Sequence, residues 1–295
     1  MFSLQTWNLW WGGTKVDDGH RKMVEIVRNH GADIICTQEC YKDCARAVFE
    51  EIGHHHAQQD FDCAVSTAFD VELLETPTAH YATAAWVAIP AASGEPRRVL
   101  VWSVHLAPWD YGPYAALRGE DPAVINAQLE ERQRQEQIAE ILALTAQFSD
   151  STTPVIIAGD FNSPATMDWT QRSDRPDYQW LSTDAPLKAG FTDAYRAIYP
   201  DAASVWGDTW SPIEPLDKEP RDRIDFIFVK NLAVCGALTR GAHVEREEGY
   251  SAPELGSVSQ SFAPIGTSAQ LIPNQSGNEY PSDHNIVEVQ LDFVD

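Results

Sequence analysis

The stretch that most constrains the fold runs from Val155 to Asn162 and reads Val-Ile-Ile-Ala-Gly-Asp-Phe-Asn. Its β-branched and small apolar residues predict a strand that is buried on both faces. Because side chains alternate along a strand, Asp160 and Asn162 share one side of the chain and Phe161 points into the core. An isolated Gly-Asp-x-Asn is most often an Asx-type turn. It indicates an active site only if other reactive side chains converge on it.

Further polar residues stand at the ends of other predicted strands. A strand from Phe2 to Trp10 carries an Asn near its end, and the buried strand 32–39 closes on an amide and a carboxylate. Any one of these residues, such as a single His on an apolar strand, is more often structural than catalytic. Their recurrence at strand ends is the informative feature. The set is Asn8, Gln38, Glu39, His105, Asp160, Asn162, Arg223, Asp225, Asp283 and His284.

The remaining pattern predicts a single domain over residues 1–295, because no repeat, low-complexity tract or linker interrupts the chain. Helical spacing predicts helices over 20–30, 43–52 and 125–148. Strands alternate with helices at first and form meanders later, which predicts two packed sheets with helices outside. Segments 107–124 and 164–186 are expected to be irregular, and 236–280 shows little periodicity.

Six short motifs follow one another in a characteristic order: an Asn after the first strand, Gln-Glu, His-Leu, Gly-Asp-Phe-Asn, Arg-Ile-Asp-Phe and Ser-Asp-His. In this order the chain resembles the endonuclease/exonuclease/phosphatase, or DNase I-like, superfamily from Trp7 to His284. The resemblance implies an α+β fold, a four-layer α/β/β/α sandwich in which two packed mixed β-sheets are flanked by helices. It also implies an enzyme that hydrolyses phosphoric esters with the help of a divalent metal.

The resemblance further implies a metal site for Mg²⁺ or Mn²⁺. Glu39 is expected to bind the cation, with Asn8 and Asp283 close to it. Carboxylate and amide oxygens are the hard ligands that such cations prefer.

The remaining motif residues are expected to be catalytic. Asp160 would orient and deprotonate the attacking water, and Asp225 would fix the tautomer of His284, whose other ring nitrogen meets the phosphate. Asn162 and His105 would hydrogen-bond the phosphoryl oxygens as negative charge grows on them.

The substrate is constrained mainly by charge. Lys plus Arg number 21 against 44 Asp plus Glu, giving a formal net charge of −23. Such a field repels a nucleic-acid backbone, while a bound cation still attracts a single phosphate. We therefore predict hydrolysis of a small phosphomonoester or phosphodiester. A DNA or RNA nuclease, including one that cleaves abasic sites, and a non-catalytic ligand-binding relative are the alternatives.

Three side chains are predicted to contact the substrate. Trp109 and Tyr114 lie in the aromatic segment that follows the His105 strand, and Arg223 shares a strand face with Asp225. Other aromatic residues could extend this rim, although any single one is more often part of the core. They are Tyr111, Trp169, Trp206 and Trp210.

Cellular location is inferred from the cysteines and from hydropathy. An odd count of five cysteines without a secretory leader predicts free thiols in a cytoplasmic protein. No run of about 18 apolar residues is present, so no membrane span is expected. The sequence makes no prediction of oligomeric state.

Overall fold

Two β-sheets packed face to face form the centre of the molecule, for which we use a computed structural model. The model describes residues 1–91, 94–214, 219, 221–241, 261–265 and 277–294. Within these residues the first sheet contains β1 (Phe2–Asn8), β2 (Ile34–Gln38), β3 (His55–Gln58), β4 (Ala64–Thr67), β11 (Leu232–Gly241), β12 (Phe262–Pro264) and β13 (Ile286–Phe293). The second contains β5 (Asp70–Leu74), β6 (Ala82–Ile89), β7 (Arg97–His105), β8 (Val155–Asp160), β9 (Thr192–Asp193) and β10 (Asp225–Lys230).

Both sheets are mixed, as the sequence predicted. The first has the strand order β12-β11-β13-β1-β2-β4-β3 and the second β5-β6-β7-β8-β10-β9. In the first sheet β1 runs parallel to β2 and antiparallel to β13. In the second, β8 lies between the parallel strand β7 and the antiparallel strand β10.

Helices pack on the outer faces of the two sheets, against one another and, for the last helix, against the cluster between the sheets. They are α1 (Gly19–His30), α2 (Cys44–Glu51), α3 (Gly112–Leu117), α4 (Pro122–Asn126), α5 (Leu129–Phe148), α6 (Thr166–Thr170), α7 (Leu181–Lys188) and α8 (Ala194–Ile198). Two segments that were expected to be irregular contain short helices: α3 and α4 lie in or overlap 107–124, and α6 and most of α7 lie in 164–186. In the described part of the chain, no helix combines the length and the hydropathy needed to cross a membrane.

Three apolar clusters correspond to the interfaces between the four layers. The central one joins the sheets, with Leu4 and Ile34 from the first and Val101 and Ile156 from the second, all fully buried. A second packs α1 and α2 against the first sheet, and a third packs α5 against the second sheet. Burial on both faces explains the continuous apolar character of β8. The predicted α/β/β/α sandwich is therefore confirmed.

Strand register brings the polar strand ends together. His105 at the end of β7 and Asp225 at the start of β10 both pair with Asp160 at the end of β8. In the first sheet, Asn8 at the end of β1 is paired with Gln38 at the end of β2. Because parallel strands end at the same edge and β10 begins where β8 ends, these side chains collect at one edge of the sandwich.

Candidate active site

Asp160 lies at the centre of this edge, with its side chain buried. Its backbone enters the site through Gly159, where a Cβ atom would overlap the carbonyl oxygen of Val104 on β7. Only glycine permits this close approach of the two strands. One carboxylate oxygen of Asp160 accepts a hydrogen bond of 3.0 Å from Nδ2 of Asn8, and the other accepts one of 2.8 Å from the backbone N–H of Asn162. Burial, together with the charge of Asp225, raises the pKa of Asp160 to about 6.

His284 approaches Asp160 from the first sheet and is paired with a buried carboxylate. Its Nδ1 lies 2.9 Å from Oδ2 of Asp225, and its Nε2 lies 3.6 Å from Oδ2 of Asp160. The hydroxyl of Tyr280 donates to the carbonyl oxygen of His284, and Ser282 Oγ accepts from its backbone N–H. Burial lowers the pKa of His284, but the charges of Asp225 and Asp160 outweigh it and raise the pKa to about 10. The imidazole is therefore fixed in position and held in its cationic form.

His105 forms a second pair of the same kind on the other side of Asp160. Its Nδ1 lies 2.9 Å and 3.2 Å from the two carboxylate oxygens of Asp62, and its Nε2 lies 3.8 Å from Oδ2 of Asp160. Burial lowers the pKa of His105, yet the charge and hydrogen bond of Asp62 raise it to about 10. Asp62 also accepts a hydrogen bond of 2.9 Å from the backbone N–H of Glu39.

Asp62 is a site residue that was not predicted from the sequence. It precedes β4 and belongs to none of the six motifs. Because β4 is antiparallel to β2, the start of β4 reaches the same edge as the end of β2. Knowledge that β4 pairs antiparallel with β2 would have been needed to assign Asp62 to the site, and only the fold gives that pairing.

Glu39 and Asp283 are the carboxylates best suited to a divalent cation. Oε1 of Glu39 accepts a hydrogen bond of 3.1 Å from Nδ2 of Asn8. Its Oε2 accepts a hydrogen bond of 2.7 Å from the backbone N–H of Trp11. Oδ1 of Asp283 is buried and has no hydrogen-bond partner, while Oδ2 accepts 3.3 Å from Nε1 of Trp210. Burial and the nearby charge of Glu39 raise the pKa of Asp283 to about 6. Two repelling carboxylates with an unsatisfied oxygen fit a cation that would neutralise both.

Asn8 is fully buried and connects Glu39 to Asp160 through hydrogen bonds. Its Nδ2 donates to both Glu39 and Asp160, while its Oδ1 accepts 2.9 Å from the backbone N–H of Trp10. The Asn8 side chain therefore orients both carboxylates. Its role as a direct metal ligand remains a prediction.

A second group of atoms could also hold a metal. One ligand atom each from Asp160, Asp225 and His284 lie within 4.8 Å of one another. We favour Glu39 and Asp283 because Asp225 and His284 are already hydrogen-bonded to each other. The high pKa of His284 also favours a proton on the ring, and a metal binds only neutral imidazole.

Asn162 completes the polar set. Its backbone has a φ of +47°, in the left-handed region that Asn tolerates better than most residues. Its Nδ2 donates 3.0 Å to the carbonyl oxygen of Leu106, which fixes the side chain beside Asp160. The site thus contains every residue predicted to be catalytic: His105, Asp160, Asn162, Asp225 and His284.

A cavity of about 750 Å³ opens above these residues. His105, Asp160, Asn162, Asp283 and His284 contribute to its floor, as does Glu39. Trp109, predicted to contact substrate, lines the cavity and is 71% exposed. Tyr114 does not line it, and its hydroxyl donates a hydrogen bond of 2.6 Å to Glu219. The prediction for Tyr114 is therefore corrected.

The prediction that Arg223 contacts the substrate is wrong. Its guanidinium is buried and forms charged hydrogen bonds of 2.7–3.2 Å with Asp168 and Asp193. Arg196 shares Asp168 through a bond of 2.7 Å. The backbone N–H groups of Ile224 and Asp225 are held by Thr209 Oγ1. Arg223 thus anchors the start of β10, away from the cavity.

Comparison with known proteins agrees with this geometry. The model of the family described as "Endonuclease/Exonuclease/phosphatase family" matches residues 6–284. An uncharacterized protein of Caenorhabditis elegans is 28% identical over 99% of this chain and 91% of its own length.

Solved structures share the fold at low sequence identity. An AP endonuclease from Archaeoglobus fulgidus is 14% identical with a TM-score of 0.60 and covers 99% of this chain and 100% of its own. A 3'-5' exonuclease from Neisseria meningitidis is 15% identical with a TM-score of 0.60 and the same coverage of both chains. The catalytic domain of human Nocturnin is 18% identical with a TM-score of 0.58, covering 99% of this chain and 94% of its own.

Proposed function

The chain belongs to the endonuclease/exonuclease/phosphatase family, and we propose that it is a divalent-metal-dependent hydrolase of a small phosphoester. The observation that carries this proposal is the position of Asp160. Its carboxylate lies between the Nε2 atoms of His105 and His284, at 3.8 Å and 3.6 Å, and each imidazole is backed by its own carboxylate. A base flanked by two cationic donors suits the hydrolysis of an anionic ester.

In the proposed reaction, Asp160 removes a proton from water as the water oxygen forms a bond to phosphorus. The ester P–O bond on the opposite face breaks, and the departing alkoxide takes a proton from solvent and leaves as an alcohol, while Asp160 later returns its proton to solvent. His105, His284 and Asn162 hydrogen-bond the phosphoryl oxygens, whose negative charge they stabilise. Asp62 and Asp225 hold the two imidazoles in place.

A metal ion, Mg²⁺ or Mn²⁺, would be held by Glu39 and Asp283, with Asn8 orienting Glu39. When bound, it would supply positive charge to the phosphoryl and leaving-group oxygens. The unpartnered Oδ1 of Asp283 supports this assignment, since an unsatisfied buried oxygen is costly without a cation.

Charge supports a small substrate over a nucleic acid. Beyond the net charge of −23, no Lys or Arg stands among the described residues that line the cavity. Contacts to a polyanionic backbone normally come from such side chains. The family match over residues 6–284 supports a single domain. The five free cysteines support a cytoplasmic location.

The test is a panel of bis-p-nitrophenyl phosphate, p-nitrophenyl phosphate, plasmid DNA and an abasic oligonucleotide, each with Mg²⁺ or Mn²⁺ and with EDTA. We expect metal-dependent release of nitrophenol that far exceeds nicking. Asp160→Asn should abolish it, whereas the exposed control Asp177→Asn should not. Faster cleavage of either nucleic acid would favour a nuclease, and no turnover of any ester would favour a ligand-binding relative.

A further inference from the structure

The cavity continues beyond the catalytic residues to an aromatic rim, which we define as Trp10, Trp11, Tyr41, Phe61 and Trp109. Three of these rings are largely exposed: Trp109 at 71%, Phe61 at 53% and Trp11 at 47%. Several large aromatic side chains exposed beside an active site are typical of a binding surface. A single exposed aromatic residue elsewhere on the surface would need no such explanation. The rim is therefore placed to contact the organic part of the substrate.

Two glutamates of α5 add negative charge to the cavity. Glu136 and Glu140 of α5 line it together with Tyr81, whose hydroxyl donates 2.6 Å to Glu140. Glu136 is exposed. The described lining contains no Lys or Arg, and its carboxylates outnumber its two cationic imidazoles, His105 and His284. A second phosphate or a carboxylate on the substrate would be repelled here, and a cation would be attracted.

The outer rings of the rim already contact ammonium groups. Nζ of Lys15 lies 5.0 Å from the ring centroid of Trp11, and Nζ of Lys42 lies 5.6 Å from that of Tyr41. Trp109 and Phe61 form no such contact with any residue in the described part of the chain. Their faces are open to a cation from the substrate, which the aromatic quadrupole would attract.

We propose that the rim, with Glu136, binds an alkylammonium group on the organic part of the phosphoester. This inference rests on the proposed hydrolase function and names its substrate class: a zwitterionic ester with one phosphate and one positively charged amine. A nucleobase could also stack on Trp109 and Phe61 and donate its amino groups to the carboxylates, but a neutral ring gains no charge–charge attraction from them. Charge complementarity therefore favours the ammonium group.

The experiment compares two esters that differ only in charge. The p-nitrophenyl ester of phosphocholine carries a trimethylammonium group, and the p-nitrophenyl ester of 3,3-dimethylbutyl phosphate carries a tert-butyl group of the same shape. Both are assayed at one ionic strength fixed with NaCl. We expect a KM for the trimethylammonium ester about tenfold below that of the tert-butyl ester, the range of a partly desolvated cation–π contact.

Trp109→Leu and Glu136→Gln should each bring the ratio of the two KM values close to one. Glu130→Gln, on the same helix but outside the cavity lining, is the matched control and should change neither the ratio nor the hydrolysis of bis-p-nitrophenyl phosphate. Because Trp109 is mostly exposed, its replacement should leave the melting temperature unchanged, which excludes misfolding as the cause.

A binding measurement separates this inference from the proposed function. Tetramethylammonium chloride should inhibit bis-p-nitrophenyl phosphate hydrolysis and quench tryptophan fluorescence, and both effects should weaken in Trp109→Leu. Equal KM values for the two esters, or stronger inhibition by adenosine than by tetramethylammonium, would overturn the ammonium proposal while leaving the hydrolase proposal intact. Quenching without hydrolysis of any ester would overturn the hydrolase proposal alone.

Discussion

Nδ1 of His105 lies 2.9 Å from Oδ2 of Asp62, which gives this histidine the same kind of carboxylate partner that Asp225 provides for His284 at the same distance. Each pair joins the two sheets. His105 and Asp225 lie on β7 and β10 of the second sheet, whereas Asp62 and His284 precede β4 and β13 of the first. Both imidazoles approach Oδ2 of Asp160. Each carboxylate keeps its imidazole protonated and fixes the ring plane. The site therefore presents two positioned cationic donors to an anion that contacts Asp160.

Asp62 is predicted to act as a positioning residue for His105. Asp62→Asn should lower kcat by about a hundredfold with little change in KM, since the loss falls on the charged transition state. The ring ¹⁵N shifts of His105 should show loss of the protonated form at neutral pH. Asp60→Asn is the matched control, because Asp60 pairs with the exposed His80 at 2.8 Å. Wild-type ¹⁵N shifts in Asp62→Asn would refute the role.

The Asp225 and His284 pair is predicted to be needed for turnover and not for folding. Asp225→Asn should cost on the order of a thousandfold in kcat, because the uncharged amide no longer keeps His284 protonated and the neutral ring can take the wrong tautomer. The far-UV circular dichroism should stay that of the wild type. Turnover within a few-fold of the wild type would show that Asp225 does not set the tautomer.

Glu39 is predicted to be the principal metal ligand. Glu39→Gln should weaken Mn²⁺ binding by at least about tenfold in calorimetry, because one of two hard carboxylate ligands is lost. The exposed Glu75→Gln keeps the same change in net charge and should bind Mn²⁺ normally. If Glu39→Gln binds the metal as tightly as the control, the ion is held elsewhere, and the group formed by Asp160, Asp225 and His284 becomes the better candidate.

The buried network around Arg223 is predicted to be a stability element. Asp168→Ala leaves Arg196 and Arg223 without their shared carboxylate. Breaking a buried ion pair by removing one partner costs about 3–5 kcal/mol, so the urea midpoint should fall sharply. Glu120→Ala removes an exposed partner of Arg118 and should cost less than about 1 kcal/mol. Similar losses in the two variants would contradict this interpretation.

Glu219 is predicted to make stability depend on pH. Burial raises its pKa to about 7, against the opposing hydrogen bond from Tyr114. Between the ordinary carboxyl range and pH 7, the native state holds a proton that the unfolded chain has lost, so this contribution to stability decreases as pH rises and is constant above pH 7. Glu219→Gln removes the effect.

The measurement for Glu219 is the difference in unfolding free energy between Glu219→Gln and the wild type. It should grow from pH 5 to pH 7 in favour of the variant and then level off. A difference that stays flat over this range would show that the carboxyl titrates normally.

The sequence by itself determined the sheet-forming segments and the residues that end them. Apolar alternation and helical spacing are local properties, so β1, β2 and β8 were all predicted within a few residues of their observed bounds. The order of the six motifs determined the family and the α/β/β/α sandwich. Asp160 and Asn162 could be assigned to a site because the sequence from Val155 to Asn162 contains both the apolar strand and the polar residues that end it.

Only the tertiary structure decided which polar side chains face the cavity. Asp62 reaches His105 because β4 runs antiparallel to β2, and no local pattern gives that strand order. Arg223 was predicted to contact substrate from its strand face, but it is buried because α6 and β9 bring Asp168 and Asp193 to the same place. Periodicity reveals which side of a strand a residue occupies, whereas the partner it meets there depends on contacts between segments far apart in the chain.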